Sequence, residues 1–308
     1  MIIITGQTAT GKTSLAIEMA KKYHGEIINF DSRQIYKYLN IITGKDLDKF
    51  ANIQYQISNI KYQDEFINFY SFSLNSQNES KLWLYDIVEP NQYFSSYEYA
   101  KLATKIIDDI QKRGKTPILV GGTYFYLKHL LYGFDFQIPP DFKLREKLNQ
   151  KTVGELQQIL KKLDSEIESK MNQSDWHNPR RLIRKIEIYQ YQNLRSAFSK
   201  NKKPKFIIKK FIGLKYKHKE ELKKAIEKRV EKRLQKGAID EVKKILQLGY
   251  KKTDPGLQTI GYKQLIEYLE GKVSQKQAIE NWIIAEMQYA KRQYTFMKKD
   301  KNINWQEI

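Results

Sequence analysis

Eight residues near the start of the chain, Gly6-Gln7-Thr8-Ala9-Thr10-Gly11-Lys12-Thr13, restrict its fold more than any other stretch. They match the pattern G-x-x-x-x-G-K-[ST], with the apolar run Ile2-Ile3-Ile4 before them and a helical pattern over residues 12–23 after them. A glycine-rich turn between a strand and a helix curls its N–H groups inward around phosphate oxygens, and the helix N-terminus adds partial positive charge. Lys12 adds a full charge, and Thr13 offers a hydroxyl to Mg²⁺. Gly6 to Thr13 is therefore the expected phosphate-binding segment of a strand–loop–helix unit.

The first half of the chain continues in the same manner. Residues 26–30, 82–88 and 116–120 read as strands and 97–113 as a helix, the signature of strand–helix–strand units and a parallel sheet. Ile118-Leu119-Val120 is apolar on both faces, as a central parallel strand is. Residues 48–81, rich in Asn, Gln, Ser and Tyr with weak alternation over 53–62, read as an irregular insertion. After Gly133 the pattern turns helical, at 141–150, 153–163 and 179–193, and residues 199–205 read as a linker. A strand at 206–214 returns the chain to the sheet, followed by helices at about 220–236, 238–247, 258–270 and 274–299. This is an α/β core interrupted by a helical insertion, and 308 residues suffice for one large domain or about two.

Charge indicates the partner. Lys and Arg number 55 against 35 Asp and Glu, a net +20 that implies a polyanion, nucleic acid first and an anionic membrane surface second. In the segment Asn178 to Glu187, at about 100° per residue, Arg180, Arg181, Arg184 and Lys185 fall in one sector and Leu182, Ile183, Ile186 and Tyr189 in the opposite one. One face packs, while the other suits the phosphates of a folded RNA or is simply solvated. The last helix repeats the design, with Ala278, Trp282, Ala285, Tyr289 and Phe296 as its expected buried stripe and Lys291, Arg292, Lys298 and Lys299 outside it. The absence of cysteine excludes disulfides, Cys-ligated zinc and thiol catalysis. No apolar run approaches the ~18 residues of a membrane span, and no leader pattern precedes the first strand, so the expected location is cytoplasmic.

Two acidic positions compete for chemistry. Asp31 opens Asp31-Ser32-Arg33-Gln34-Ile35-Tyr36 at the carboxyl edge of the second strand, where open α/β sheets bind ligands. It could be a base, a metal ligand or a helix cap, and Ser32, Gln34 and Tyr36 beside it could hydrogen-bond to and stack on a base. A phosphohydrolase would also need a metal-holding acid after a central strand, but the most apolar strand ends Val120-Gly121-Gly122-Thr123. Asp86 is the remaining candidate, as metal acid or strand-end cap, so the bound phosphates need not belong to ATP.

Taken together, these blocks resemble the tRNA dimethylallyltransferases, also called tRNA isopentenyltransferases, from Ile3 to about Lys299. Gly6 to Thr13 is similar to the family's G-P-T-A-S-G-K-T, with Gln7 for Pro and Thr10 for Ser. Asp31, Ser32, Gln34 and Tyr36 match D-S-x-Q-x-Y; Val120 to Thr123 with Tyr126 match V-G-G-T-x-x-Y; and Asn178 to Arg181 with Ile183 and Arg184 match N-P-R-R-x-I-R. Ile260 to Lys263 match I-G-Y-K, and Tyr289 to Gln293 with Thr295 match Y-A-K-R-Q-x-T. The chain departs from the pattern in the longer 48–81 link, in Leu82-Trp83 where a His pair is common, and in Phe296 where Trp is usual.

The resemblance implies a P-loop NTPase-like parallel sheet core with helices on both faces over 1–134 and 201–308, and a helical, tRNA-binding insertion domain at 135–200. It implies transfer of the dimethylallyl group of dimethylallyl diphosphate to N6 of adenosine 37 of tRNA. Asp31 is then the expected base, with Thr8 and Thr123 near the reacting centre. Gly6 to Thr13, Arg229 and Mg²⁺ held by Thr13 would neutralise diphosphate. Expected tRNA contacts are Asp31, Ser32, Arg33, Gln34 as reader of the flipped base, Thr123, Arg145 on the anticodon stem-loop, Arg180, Arg181, Arg184, Lys185, Lys291 and Arg292. A monomer without membrane or obligate protein partner is expected. The competing readings are a P-loop kinase of a small metabolite or nucleotide, a transferase acting on free adenylate, and a non-catalytic RNA-binding protein.

Overall fold

The computed structural model of the chain describes residues 1–76, 78–133, 140–194 and 206–308. The linker expected at 199–205 lies outside them. The chain divides into two compact units, Met1–Tyr132 with Pro204–Ile308, and Gly133–Lys203.

In the first unit, β1 (Ile2–Gly6), α1 (Lys12–Tyr23) and β2 (Gly25–Asn29) follow the sequence pattern. After a short 3-10 turn come β3 (Ala51–Tyr62), β4 (Glu65–Ser73), β5 (Glu79–Trp83), α2 (Ser96–Lys112), β6 (Thr116–Val120) and α3 (Tyr124–Tyr132). The second unit holds α4 (Phe142–Asn149), α5 (Val153–Leu163), α6 (Ile167–Lys170), α7 (Gln173–Trp176) and α8 (Pro179–Leu194). The first unit resumes with β7 (Lys210–Lys215), α9 (Lys219–Gln235), α10 (Ala238–Gln247), α11 (Tyr262–Leu269), α12 (Gln275–Met297) and β8 (Asn304–Glu307).

The strands form one sheet in the order β3-β4-β5-β2-β6-β1-β7-β8. From β5 to β8 every pairing is parallel, while β3 and β4 extend the edge as an antiparallel hairpin. Ile2, Ile4, Ile27, Ile118 and Val120 share one core cluster with Ala16, Met19 and Ala20 of α1. Ile3, Ile28 and Leu119 are also fully buried, and strand alternation sends them to the other face, so both faces are covered. Among the described residues no helix is long and apolar enough to cross a membrane.

Several expectations are corrected. The 48–81 segment is not irregular: it forms the β3–β4 hairpin, whose β3 is exposed at most positions and buried at one, and so carries almost no periodic signal. The strand expected at 82–88 stops at Trp83, because Leu84 and Asp86 adopt positive φ (65° and 56°) and bend the chain away from the ladder. The 206–214 strand starts at Lys210, which pairs with Ile2, the first residue of β1. The helix expected from 258 begins at Tyr262, since Gly261 at φ 96° cannot continue a right-handed helix. On α12 the buried positions are Ala278, Trp282, Glu286, Ala290, Gln293 and Met297; Ala285 and Tyr289 are half-buried and Phe296 is 40% exposed. The α12 face turned inward is thus partly polar, and no apolar-periodicity argument selects it.

The second unit packs Leu148, Leu156, Leu160, Ile167, Trp176, Leu182, Ile183 and Ile186 into a core of its own. The apolar sector read for α8 is the buried one. Leu160 is fully buried there, so Leu160→Ala should destabilise this unit by about 2–5 kcal/mol in chemical denaturation, through lost burial and a residual cavity. A loss below about 1 kcal/mol would contradict the packing described.

Candidate active site

Strand register builds the site. Ile4, Val120 and Asn29 lie in one row across β1, β6 and β2, and two residues beyond each come Gly6, Gly122 and Asp31. Three adjacent parallel strands therefore end together on the phosphate loop, the Gly121-Gly122-Thr123 turn and the Asp31 segment. At about 4.8 Å per strand, the outer two of these ends are about 10 Å apart.

The loop is held to β7. Gly6 sits at φ 137°, and a side chain there would strike the backbone of Leu214; Gly11, at φ 78°, needs only its backbone freedom. Gln7 N–H donates to Leu214 O at 3.0 Å, and its side-chain oxygen accepts from Tyr216 N–H at 3.0 Å, so the residue that replaces Pro becomes a clasp. The Tyr216 hydroxyl donates to Ala9 O at 2.8 Å. Ala9 itself holds φ 62°, a left-handed position that costs a non-glycine residue free energy.

Cations converge on this loop. Arg229, on α9, donates to the Thr8 hydroxyl, and Lys12 donates to Gln7 O. Burial, reinforced by the charge of Arg229, brings the Lys12 ammonium down to about 7, while Asp31 and Glu286 pull it the other way. A methyl on Gly44 would lie 2.6 Å from both Arg229 Nη2 and Arg233 Nη2, so the two guanidinium groups are within about 5 Å of each other. Arg233 pairs with Glu286 at 3.0 Å, both nearly fully buried; burial and Arg229 lower Arg233 to about 10. Such crowding of positive charge is costly without an anion and favours binding a polyphosphate.

Across the gap, Asp31 N–H donates to Asn29 Oδ1 and its own Oδ1 accepts from Arg33 N–H, both at 2.9 Å, which leaves Oδ2 facing the Gly122 turn. Thr123 Oγ1 accepts from Ser32 N–H at 3.0 Å and lies 3.1 Å from Ser32 Oγ. Burial and the nearby Asp31 charge keep the Tyr289 hydroxyl well above its usual range, with Thr123 hydrogen bonding opposing them. Gln293 joins the two halves: its oxygen accepts from Thr8 N–H at 2.9 Å and its nitrogen donates to Gly122 O at 3.0 Å. Gln34 donates to Gly44 O at 2.7 Å, and the Arg33 guanidinium donates to Pro255 O at 3.0 Å.

Of the expected residues, the structure brings together Gly6 to Thr13, Asp31, Ser32, Thr123 and Arg229. Lys291 and Arg292, on the exposed side of α12, line a surface groove of about 390 Å³ with Thr295, Phe296 and Lys299. In the second unit Arg180 and Arg181 are exposed, whereas Arg145 and Arg184 both pair with buried Glu187, at 2.6 and 3.0 Å, and so also hold that unit's structure. Lys185 is half-buried. Asp86 is not an open acid: Lys45 and the Tyr70 hydroxyl occupy its two oxygens. Sequence reasoning assigned no role at the site to Gln293, Arg233, Glu286 or Lys45, and gave Tyr289 only a place on a buried stripe. The Y-A-K-R-Q block contained two of them, and nothing in the local pattern marked the rest.

Fold and site together define a P-loop α/β enzyme that opposes a carboxylate to a cluster of cations at a parallel strand edge. A family model described as IPP transferase matches residues 71–300. A tRNA dimethylallyltransferase of Hydrogenobaculum sp. is 39% identical over 97% of this chain and 91% of its own, and one of Caldanaerobacter subterraneus is 34% identical over 99% and 90%. The chain belongs to this family, the tRNA dimethylallyltransferases. A crystal structure of the tRNA isopentenylpyrophosphate transferase of Bacillus halodurans matches 99% of this chain and 89% of its own with TM-score 0.65 and 29% identity. The fold is shared as well with a eukaryotic dimethylallyltransferase crystallised acting on tRNA (TM-score 0.72, 24% identity, 100% and 73% coverage).

The Lys12 environment predicts proton uptake on binding a diphosphate. As pH rises above about 7 the free site holds more and more of Lys12 neutral, and an anion restores the ammonium, so affinity should fall as pH rises through about 7. Calorimetry of inorganic diphosphate in buffers of different ionisation heat should register more protons bound by the wild type than by Lys12→Met. Equal uptake by both would refute this.

Proposed function

We propose that this chain transfers the dimethylallyl group of dimethylallyl diphosphate to N6 of adenosine 37 in the anticodon loop of tRNA, releasing diphosphate. The observation that carries the reading is the opposition of Asp31 to the Lys12–Arg229–loop cluster across Gly122, a base on one side and a polyanion site on the other. Membership of the tRNA dimethylallyltransferase family supports it.

An exocyclic adenine amine is a weak nucleophile, and diphosphate is a polyanionic leaving group, so the reaction needs both features. Loop N–H groups, Lys12 and Arg229 hold the diphosphate. The N6 nitrogen forms its bond to the dimethylallyl carbon as the carbon–oxygen bond to diphosphate breaks, and Asp31 takes the N6 proton. Thr123 and Ser32 orient the Asp31 segment, and Gln293 fixes its distance from the loop. Gln34 reads the flipped base, its side-chain nitrogen staying on the Gly44 carbonyl.

Thr13 fits a role toward Mg²⁺. The residue is half-buried and makes no side-chain hydrogen bond among the described residues, and hydroxyl, water and diphosphate oxygens form the hard donor set this cation takes. With the cation bound, part of the leaving-group charge is neutralised.

The adenine must leave its stack, at a cost of a few kcal/mol, which phosphate contacts offset. Arg180, Arg181, Arg184 and Lys185 on α8, and Lys291 and Arg292 on α12, serve that purpose, with Arg145 supporting α8 through Glu187. We place the reaction in the cytoplasm and take one copy of the chain as sufficient.

The test is transfer of labelled dimethylallyl diphosphate with Mg²⁺ to tRNA bearing adenosine 37, beside a guanosine 37 control, free AMP and an ATP-hydrolysis control. Label in the adenosine tRNA alone is expected. Label in AMP, or ATP hydrolysis without transfer, would refute the proposal. Asp31→Ala should lower single-turnover rate at least about 100-fold while tRNA affinity stays within a few-fold; near-normal rates would remove Asp31 as the base.

A further inference from the structure

A buried polar knot outside the reacting groups joins the β3–β4 hairpin to the loop that carries Gln34. Lys45 is fully buried, and its ammonium donates to Tyr36 O at 2.7 Å and to Asn40 Oδ1 at 2.8 Å while it pairs with Asp86. Tyr70, in the middle of β4, donates its hydroxyl to the other Asp86 oxygen at 2.6 Å, and Tyr55 of β3 packs edge-on against its ring. An ammonium withdrawn from water is tolerated only when paired and hydrogen-bonded, so Lys45, its three partners and Tyr70 depend on one another.

The backbone around the knot is strained. Tyr38, Asp46, Leu84 and Asp86 all adopt the left-handed region, at φ 65°, 49°, 65° and 56°. Conformations of this kind persist where surrounding contacts over-determine them, and they collect at functional sites. Here the contacts run directly to the site. Ile87 N–H donates to Ile35 O at 2.7 Å and Lys37 N–H to Val88 O at 2.9 Å, so the Asp86 segment lies paired with the residues just after Gln34. Gln34 holds Gly44 O, next to Lys45, and Gly44 lies against the guanidinium groups of Arg229 and Arg233. Glu241 of α10 accepts the N–H groups of Asn40, Ile41 and Ile42 at 2.8, 2.7 and 3.1 Å. Residues 34–45 are thus a clamped loop, and the hairpin holds it through the Tyr70 hydroxyl.

We infer that Tyr70 is a positioning residue: acting through Asp86 and Lys45, the β3–β4 hairpin sets the conformation of residues 34–45 and with it the placement of Gln34 on the tRNA side of the site. The inference rests on the transfer reaction proposed above. Removing the hydroxyl leaves one Asp86 oxygen without its donor, the Lys45 contacts rearrange, and the loop loses its fixed shape, while the phosphate loop, tied to β7 and α12, keeps its own.

The experiment compares Tyr70→Phe, Lys45→Met and the double variant in tRNA prenylation with both substrates varied, together with melting temperatures. Tyr70→Phe should lower kcat/KM for tRNA about 10-fold, the size of one lost hydrogen bond to a charged group, and leave KM for dimethylallyl diphosphate within 2-fold. Lys45→Met should lose more, and the double variant should be no worse than Lys45→Met, because the two act along one path. Asp86→Asn replaces Lys45→Met should that variant not fold. An active wild type beside a Tyr70→Phe with unchanged tRNA constants, losses that add in the double variant, or a KM for dimethylallyl diphosphate raised as much as that for tRNA would each overturn this inference alone. A wild type that labels no tRNA brings down the functional reading and this inference with it.

Discussion

The backbone of Gly6 passes so close to the backbone of Leu214 that no side chain fits between them, and the rest of the site is anchored to that approach. Because β1 and β7 are fixed there, Gln7 and Tyr216 can clasp the phosphate loop from the β7 side. Gln293 can then span from Thr8 to Gly122, and this one amide sets the separation between the loop and the Asp31 turn. The sheet register supplies the other coordinate, since β2, β6 and β1 end in a common row. Distances in the site thus follow from strand spacing and one bridging side chain.

Charge acts at two scales. Over the whole chain the surplus of +20 creates a field that draws in a polyanion and does so less at high salt. Inside the site, Lys12, Arg229 and Arg233 crowd one another with Glu286 and Asp31 as nearby counter-charges. In our account the first effect brings tRNA to the surface, and the second favours a polyphosphate on the loop, supplied by the diphosphate of the donor. The buried pair Lys45–Asp86 belongs to neither scale: it holds backbone around it in left-handed conformations.

Much of this was legible in the sequence because it depends on short-range chemistry. The phosphate loop is one contiguous run whose chemistry is visible as spacing, while the Asp31 segment and the Gly121-Gly122-Thr123 turn stood out through their resemblance to family blocks. The central strands were legible because Ile2-Ile3-Ile4 and Ile118-Leu119-Val120 are buried on both faces. The β3–β4 hairpin was not, since β3 lies at the sheet edge with most residues in solvent, and burial is what imprints a period of two. Leu84 and Asp86 broke the expected strand through tertiary contacts made by Lys45 and Tyr70, which no local pattern encodes. On α12 the inward face is chosen by partners of Glu286 and Gln293 on other elements, so apolar periodicity pointed to Phe296 instead. Long-range polar partners, in short, are what a single sequence leaves unwritten.

The central claim is that the diphosphate and the adenine meet the chain on opposite sides of the Gly122 turn. The structure of a ternary complex with an unreactive dimethylallyl diphosphate analogue and an anticodon stem-loop tests it directly, through the distance from the Asp31 carboxylate to N6 of adenosine 37. The account predicts a hydrogen-bonding separation of about 2.6–3.2 Å, direct or through one water, with the diphosphate on residues 6–13. An adenine still stacked in its loop, or a diphosphate bound away from Lys12 and Arg229, would contradict it.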